Sequence, residues 1–172
     1  MTVARLDIPG DATRRDYAVY VMVAVHRTTR ETKLYVGKTG DNRKGCNPVI
    51  SRAGNHFSFN TIHSQTRNHL QPNEPSEYDF AYFYTTFGEY VDPSETRERI
   101  DIVNEMERRL NTLAQERFDT LMNPYSGKHV SPAKQAVRNQ LATHDRLQQL
   151  SEVIAAVTTH VASINGGGPT FV

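Results

Sequence analysis

The sequence predicts an α+β domain: a small three-stranded antiparallel sheet flanked by helices, with a long C-terminal helix. Three observations lead there. Two β-rich runs, "YAVYVMVAV" at 17–25 and "KLYVG" at 33–37, stand one short polar turn apart. A third run, "YDFAYFYTTF", follows at 78–87. After it come two long stretches with apolar residues at helical spacing, each opened by a proline behind an aspartate or a serine.

Each element has a local reason. Tyr17–His26 is nearly all apolar and rich in β-branched and aromatic residues, as in a central strand covered on both faces. "RTTRET" reads as a turn and Lys33–Gly37 as the returning strand of a hairpin. Asn47-Pro48 reads as an N-cap with proline in the first turn of a helix running to about Phe57. Residues 58–77 are polar, rich in His, Asn and Gln, and read as irregular or partly helical. Asp92-Pro93-Ser94-Glu95 starts a helix that continues to about Phe118 on the stripe Ile100, Val103, Met106, Leu110, Leu113. Ser131-Pro132 starts the last helix. Its residues Leu147, Leu150, Ile154, Val157, Val161 and Ile164 form a seam for packing on another helix, either of the same chain or of a second copy. "NGGGPTFV" stops it. The organisation expected is a domain over 1–130, a C-terminal helix over 131–165 and a flexible tail over 166–172.

At 172 residues the chain is long enough for one real core, and 37% hydrophobic with 23% charged residues excludes the disordered class. The longest apolar run, Tyr17–Val25, is far short of the roughly 20 residues that span a bilayer, so no membrane partner is expected. The N-terminal stretch has no apolar signal-like region, and Cys46 is the single cysteine, which excludes an internal disulfide framework. The expected compartment is the cytoplasm. Net charge is +1, but it is unevenly spread. Residues 27–70 hold eight basic and two acidic side chains, net +6, whereas 71–119 hold five and twelve, net −7. The basic block suits a polyanion, and the acidic block suits a solvated helix face.

Several side chains stand out as candidates for chemistry. On a helical wheel Glu107 falls about 40° from Val103, at the edge of the apolar stripe, while Glu105 falls about 200° away, on the opposite face. A carboxylate at a core edge needs a cation or a metal, or must bend out to water. Arg108 and Arg109 are the nearest pairing candidates. Arg52 and His56 share a helix face at i, i+4. The arginine fork suits a phosphate, and the histidine suits proton movement near neutral pH. Lys38 follows Gly37 at a strand end, and Tyr20 and Tyr35 sit on the two strands of the hairpin. No P-loop, dinucleotide fingerprint or nucleophile elbow is present. His63 and His69 lack zinc-site spacing and read as solvent-facing.

Taken together, "AVY" (Ala18–Tyr20), "YVG" (Tyr35–Gly37), an arginine on the first helix and a glutamate on a later one resemble the GIY-YIG nucleases. Ala18 stands where the family usually has glycine, and fourteen residues separate the two tyrosines. Lys38 with Arg52-x-x-x-His56 is similar to the restriction-enzyme branch. Arg43 is a competing arginine at the spacing of the repair branch, and Asn123 is the candidate for the family's asparagine after the glutamate helix.

The resemblance covers residues 17–125 and implies a divalent-metal-dependent DNA endonuclease, a restriction or phage-defence enzyme before a repair or homing one. It implies that Tyr20, Tyr35 and Lys38 line one face of the hairpin opposite Arg52 and Glu107. Glu107 is implied to hold one Mg²⁺ or Mn²⁺, Tyr20 to be the base with Lys38 favouring its phenolate, Arg52 to clamp the phosphate, and His56 and Tyr35 to position water and base. DNA is the implied partner, and a homodimer is the simplest way to cut both strands. A non-catalytic nucleic-acid-binding protein and an RNA-directed toxin remain open as other readings. On this phasing Glu107 is essential and Glu105 replaceable.

Overall fold

The computed structural model describes residues 5–40, 48–59, 64–91, 97–127 and 130–166. Its strands are β1 (Asp16–His26), β2 (Thr32–Thr39) and β3 (Tyr78–Glu89). Its helices are α1 (Val49–His56), α2 (Gln65–Leu70), α3 (Glu98–Arg117), α4 (Pro132–Leu141) and α5 (His144–Asn165). The sheet is antiparallel in the order β2-β1-β3, so the nearly continuous apolar run is the central strand. The α+β class, the three-stranded sheet and the long last helix are as the sequence predicts. No helix among the described residues is long and apolar enough to cross a membrane.

Period-two alternation along β1 divides the core into two. Tyr17, Val19, Val21, Val23 and Val25 point to one face, where they meet Leu34 and Val36 of β2 and the apolar sides of α3 and α5. Tyr20, Met22 and Ala24 point to the other face, with Tyr35, Leu70 and Tyr78 buried beside them and Phe57, Phe80, Tyr82 and Tyr84 packed around. That second face is aromatic because β3 places Tyr78, Phe80, Tyr82 and Tyr84 two residues apart.

The outer edge of β2 is closed by a segment from beyond α3. Leu34 N–H donates to Thr120 O at 3.0 Å, and Met122 N–H donates to Leu34 O at 2.7 Å. A strand edge left bare would present unpaired donors and acceptors to any neighbouring chain.

One expectation is corrected in the C-terminal half. The single helix expected from Ser131 to Ile164 is two. Ala142 leaves helical geometry at φ −90°, ψ 65°, and Thr143 restarts the chain at φ −64°, ψ 160° as the N-cap position of α5. Asp145 in the first turn of α5 favours a helix start there. The seam is filled from within the chain: Leu150, Ile154 and Val157 are buried in the α3/α5 core, with Leu147, Val161 and Ile164 packed against it. Packing within the same chain is the first of the two uses expected of it. The caps expected at Asn47 and Asp92-Pro93, and the tail at 167–172, lie outside the described residues.

Candidate active site

The hairpin register decides which side chains meet. Tyr20 pairs with Gly37, and Met22 with Tyr35, so Tyr20 and Tyr35 share one face. Val19 pairs with Lys38, so Lys38 points to the opposite face. The glycine of "YVG" has a steric reason. A Cβ at Gly37 would lie 2.5 Å from Tyr20 Cζ, so only glycine lets that ring lie over β2.

On the tyrosine face α1 supplies Arg52 and His56. Tyr20 Oη and His56 Nε2 are 2.5 Å apart in a hydrogen bond. The His56 ring is fully buried and meets Tyr35 edge-on at 4.9 Å between centroids. Burial, and then the Arg52 charge, lower the His56 pKa to about 4, so it is a neutral imidazole at neutral pH. Burial pushes Tyr20 well above the ordinary phenol range, and Arg52, by its charge and a side-chain hydrogen bond, pulls it back. Tyr35 is raised by burial and by Glu107, and Arg52 again opposes the rise. One guanidinium therefore acts on both phenols and the imidazole.

On the opposite face Lys38 Nζ donates to Glu107 Oε2 of α3. These side chains are 18% and 29% exposed and line a polar cleft of about 410 Å³ together with Asn104, Arg108, Asn123 and Tyr125. The Glu107 charge still bears on Tyr35 and raises its pKa. Asn123 spends its amide on the strand itself: Nδ2 donates to Val36 O at 2.7 Å and Oδ1 accepts from Val36 N–H at 3.0 Å. Asn111 then holds the Asn123 carbonyl at 2.9 Å and accepts from Tyr125 N–H at 2.8 Å. Asn123 is thus a positioning residue for β2.

Three expectations change. Lys38 does not share a face with the tyrosines, and the cation that favours the Tyr20 phenolate is Arg52. Glu107 pairs with Lys38, not with Arg108 or Arg109. Glu105 is not a solvated residue: its side chain is 3% exposed and accepts from Arg108 and from Arg109 Nε at 2.9 Å, with Arg138 Nε of α4 at 3.9 Å. The wheel assumed one covered face of α3, but α4 covers a second. Arg43 and His63 lie outside the described residues, while His69 is exposed as expected and lies 6.2 Å from the Tyr35 ring.

Tyr82, Asn111 and the Glu105 cluster were not singled out from the sequence. The alternation of aromatics in "YDFAYFY" was the available signal for Tyr82, and Glu105 with Arg108 and Arg109 at i+3 and i+4 was a second. Among the described residues no group of three or more His, Cys, Asp and Glu forms a ready cation cage. Glu107 fits a hard cation that keeps most of its water, since it is a single part-exposed carboxylate lining an open polar cleft. Among known proteins, no family model, curated protein or solved structure matches the chain.

Proposed function

We propose that the chain is a divalent-metal-dependent DNA endonuclease of GIY-YIG type, most akin to the restriction branch. The observation that carries this reading is convergence. Tyr20 of β1 and Tyr35 of β2 both meet His56 of α1, at 2.5 Å and at 4.9 Å between ring centroids, with Arg52 one turn earlier on the same helix, and the Arg52 and Glu107 charges bear on Tyr35.

In this reading Arg52 holds the scissile phosphate and offsets the charge that grows on it. Glu107 would hold a Mg²⁺ or Mn²⁺ ion, which when bound supplies charge neutralisation at the phosphate and the leaving oxygen. Tyr20 accepts a proton from the attacking water while its own proton passes to His56 Nε2. The new P–O bond forms, the old one breaks, and the leaving oxygen is protonated from solvent. A phosphodiester anion held by Arg52 offsets the Arg52 charge, the smaller of the two effects that lower the His56 pKa, so the imidazole accepts a proton more readily with substrate bound than in the free protein. Lys38 keeps Glu107 compensated before the cation arrives, and Asn123 fixes β2.

A second reading, a non-catalytic nucleic-acid-binding module, has its own support: Tyr20 is 0% exposed and Glu107 is already neutralised by Lys38. One experiment separates the two. Plasmid DNA and a structured RNA are incubated with the protein, with Mg²⁺, with Mn²⁺ and with chelator, and binding is followed in parallel by fluorescence anisotropy. The nuclease reading expects metal-dependent DNA cleavage, lost in Glu107→Gln and reduced about 10²-fold or more in Arg52→Ala and Tyr20→Phe. Binding without cleavage in every metal selects the module, and cleavage confined to RNA selects the toxin.

A further inference from the structure

The aromatic face holds a group that the mechanism above does not use. Tyr82 of β3 sits in register with Met22, one pleat from Tyr20, and its ring lies 5.6 Å from the Tyr20 ring. Its hydroxyl oxygen is buried and has no hydrogen-bond partner among the described residues. His56 Nδ1, in the same cluster, is likewise buried and unpartnered. Buried polar atoms are nearly always paired, and an exception calls for an explanation, of which a catalytic role is one. Both atoms lie where Arg52 acts, since its charge bears on Tyr82 as well as on His56. Burial holds the Tyr82 phenol in its protonated form, and unlike Tyr20 it has no imidazole to pass its proton to, so its hydroxyl serves as a donor.

We propose that Tyr82 is a further catalytic residue, whose hydroxyl donates to a non-bridging oxygen of the phosphodiester that Arg52 holds. The inference rests on the nuclease reading and adds a third phenol to it, one with the role of donor. The geometry gives that role a reason. An arginine fork satisfies oxygens in its own plane, and a donor arriving from β3 approaches from a different element and direction. A donor that gains strength as charge builds on the phosphate oxygen lowers the barrier more than it tightens substrate.

Tyr82→Phe tests it, because it removes one oxygen and keeps the ring. Two measurements are made: thermal unfolding of the free protein, and single-turnover cleavage of duplex DNA at saturating enzyme. A hydroxyl reserved for substrate has nothing to lose in the free protein, so the melting temperature stays equal or rises while the cleavage rate falls about 10-fold or more. Ground-state affinity, read by anisotropy with Ca²⁺ in place of Mg²⁺, changes less than the rate. A clear fall in melting temperature overturns the proposal, because the hydroxyl then has a structural partner such as a fixed internal water. Unchanged stability with wild-type cleavage overturns it too. If the wild-type protein itself cuts no DNA with either metal, the nuclease reading fails, and the proposal with it. Active wild type with an equally active Tyr82→Phe removes only the proposal.

Discussion

Replacement of Glu105 by alanine is the sharpest test of how α3 and α4 are joined. The carboxylate is 3% exposed and is shared by Arg108, Arg109 and Arg138, whose side chains are 24%, 35% and 15% exposed. Without it, three guanidiniums face one another with no counter-charge. Removing one partner of a buried ion pair costs about 3–5 kcal/mol. The arginines keep some contact with water, so the lower end applies, about 3 kcal/mol. That is a large share of the roughly 5–15 kcal/mol that holds a domain together. In a domain of this size it lowers the melting temperature by roughly 6–12 °C. α4 has few other holds: it contributes no fully buried residue, Val137 is 58% exposed, Leu141 packs part-buried on the core, and among the described residues its other polar link to α3 is Arg109 to Asn139 Oδ1 at 2.9 Å. Thermal unfolding by far-ultraviolet circular dichroism reads the change, with exposed Glu116→Ala as the control expected within about 0.5 kcal/mol of wild type. A Glu105→Ala protein melting within about 2 °C of wild type would refute the argument and return Glu105 to the solvated face assigned by the helical wheel.

Two further outcomes follow from the tyrosine face. His56 has a folded pKa of about 4 against an ordinary value of 6.5, so between those values the unfolded chain takes up a proton that the folded one refuses. Stability is unaffected above about pH 6.5 and falls as pH drops below it, by about 2 kcal/mol between pH 7 and pH 5. Urea unfolding at the two pH values measures this, and His56→Gln should remove that share; an identical fall in His56→Gln would show that the imidazole is not held neutral. At Gly37, alanine would bring a methyl group against the Tyr20 ring, so Gly37→Ala should lose about 1–3 kcal/mol and most cleavage, while Gly54→Ala, where a methyl group meets nothing within 4 Å, should keep both. Equal losses at the two glycines would show that the Tyr20 ring does not need the space.

The parts of the site legible in the sequence were those set by short-range rules. The nearly continuous apolar run "YAVYVMVAV" made β1 central, and i, i+4 spacing put Arg52 and His56 on one face of α1. The parts that were not legible depend on long-range packing. Lys38 and Tyr35 are three residues apart on a strand, so they had to face opposite ways, but nothing local says which of the two faces receives α1 and which receives α3. Glu105 looked solvated because a wheel carries no information about a helix that arrives from 30 residues downstream. Tyr82 belongs to a strand whose aromatics all read as core, and only its unpartnered hydroxyl sets it apart.

The clamp on the outer edge of β2 bears on the order in which the site comes together. Leu34 is held by the backbone of Thr120 and Met122, and Val36 by the side chain of Asn123, 87 residues away. A slip of one residue in β2 would send Tyr35 toward α3 and Lys38 toward α1. The hairpin itself is local and can pair as soon as its two strands exist, whereas contacts this distant in sequence close late in folding. The orientation of residues near the start of the chain is thus held by a segment made only after α3. A nascent chain that ends before Thr120 can carry both tyrosines and the lysine on a paired hairpin and still lack the latch that keeps them on their proper sides.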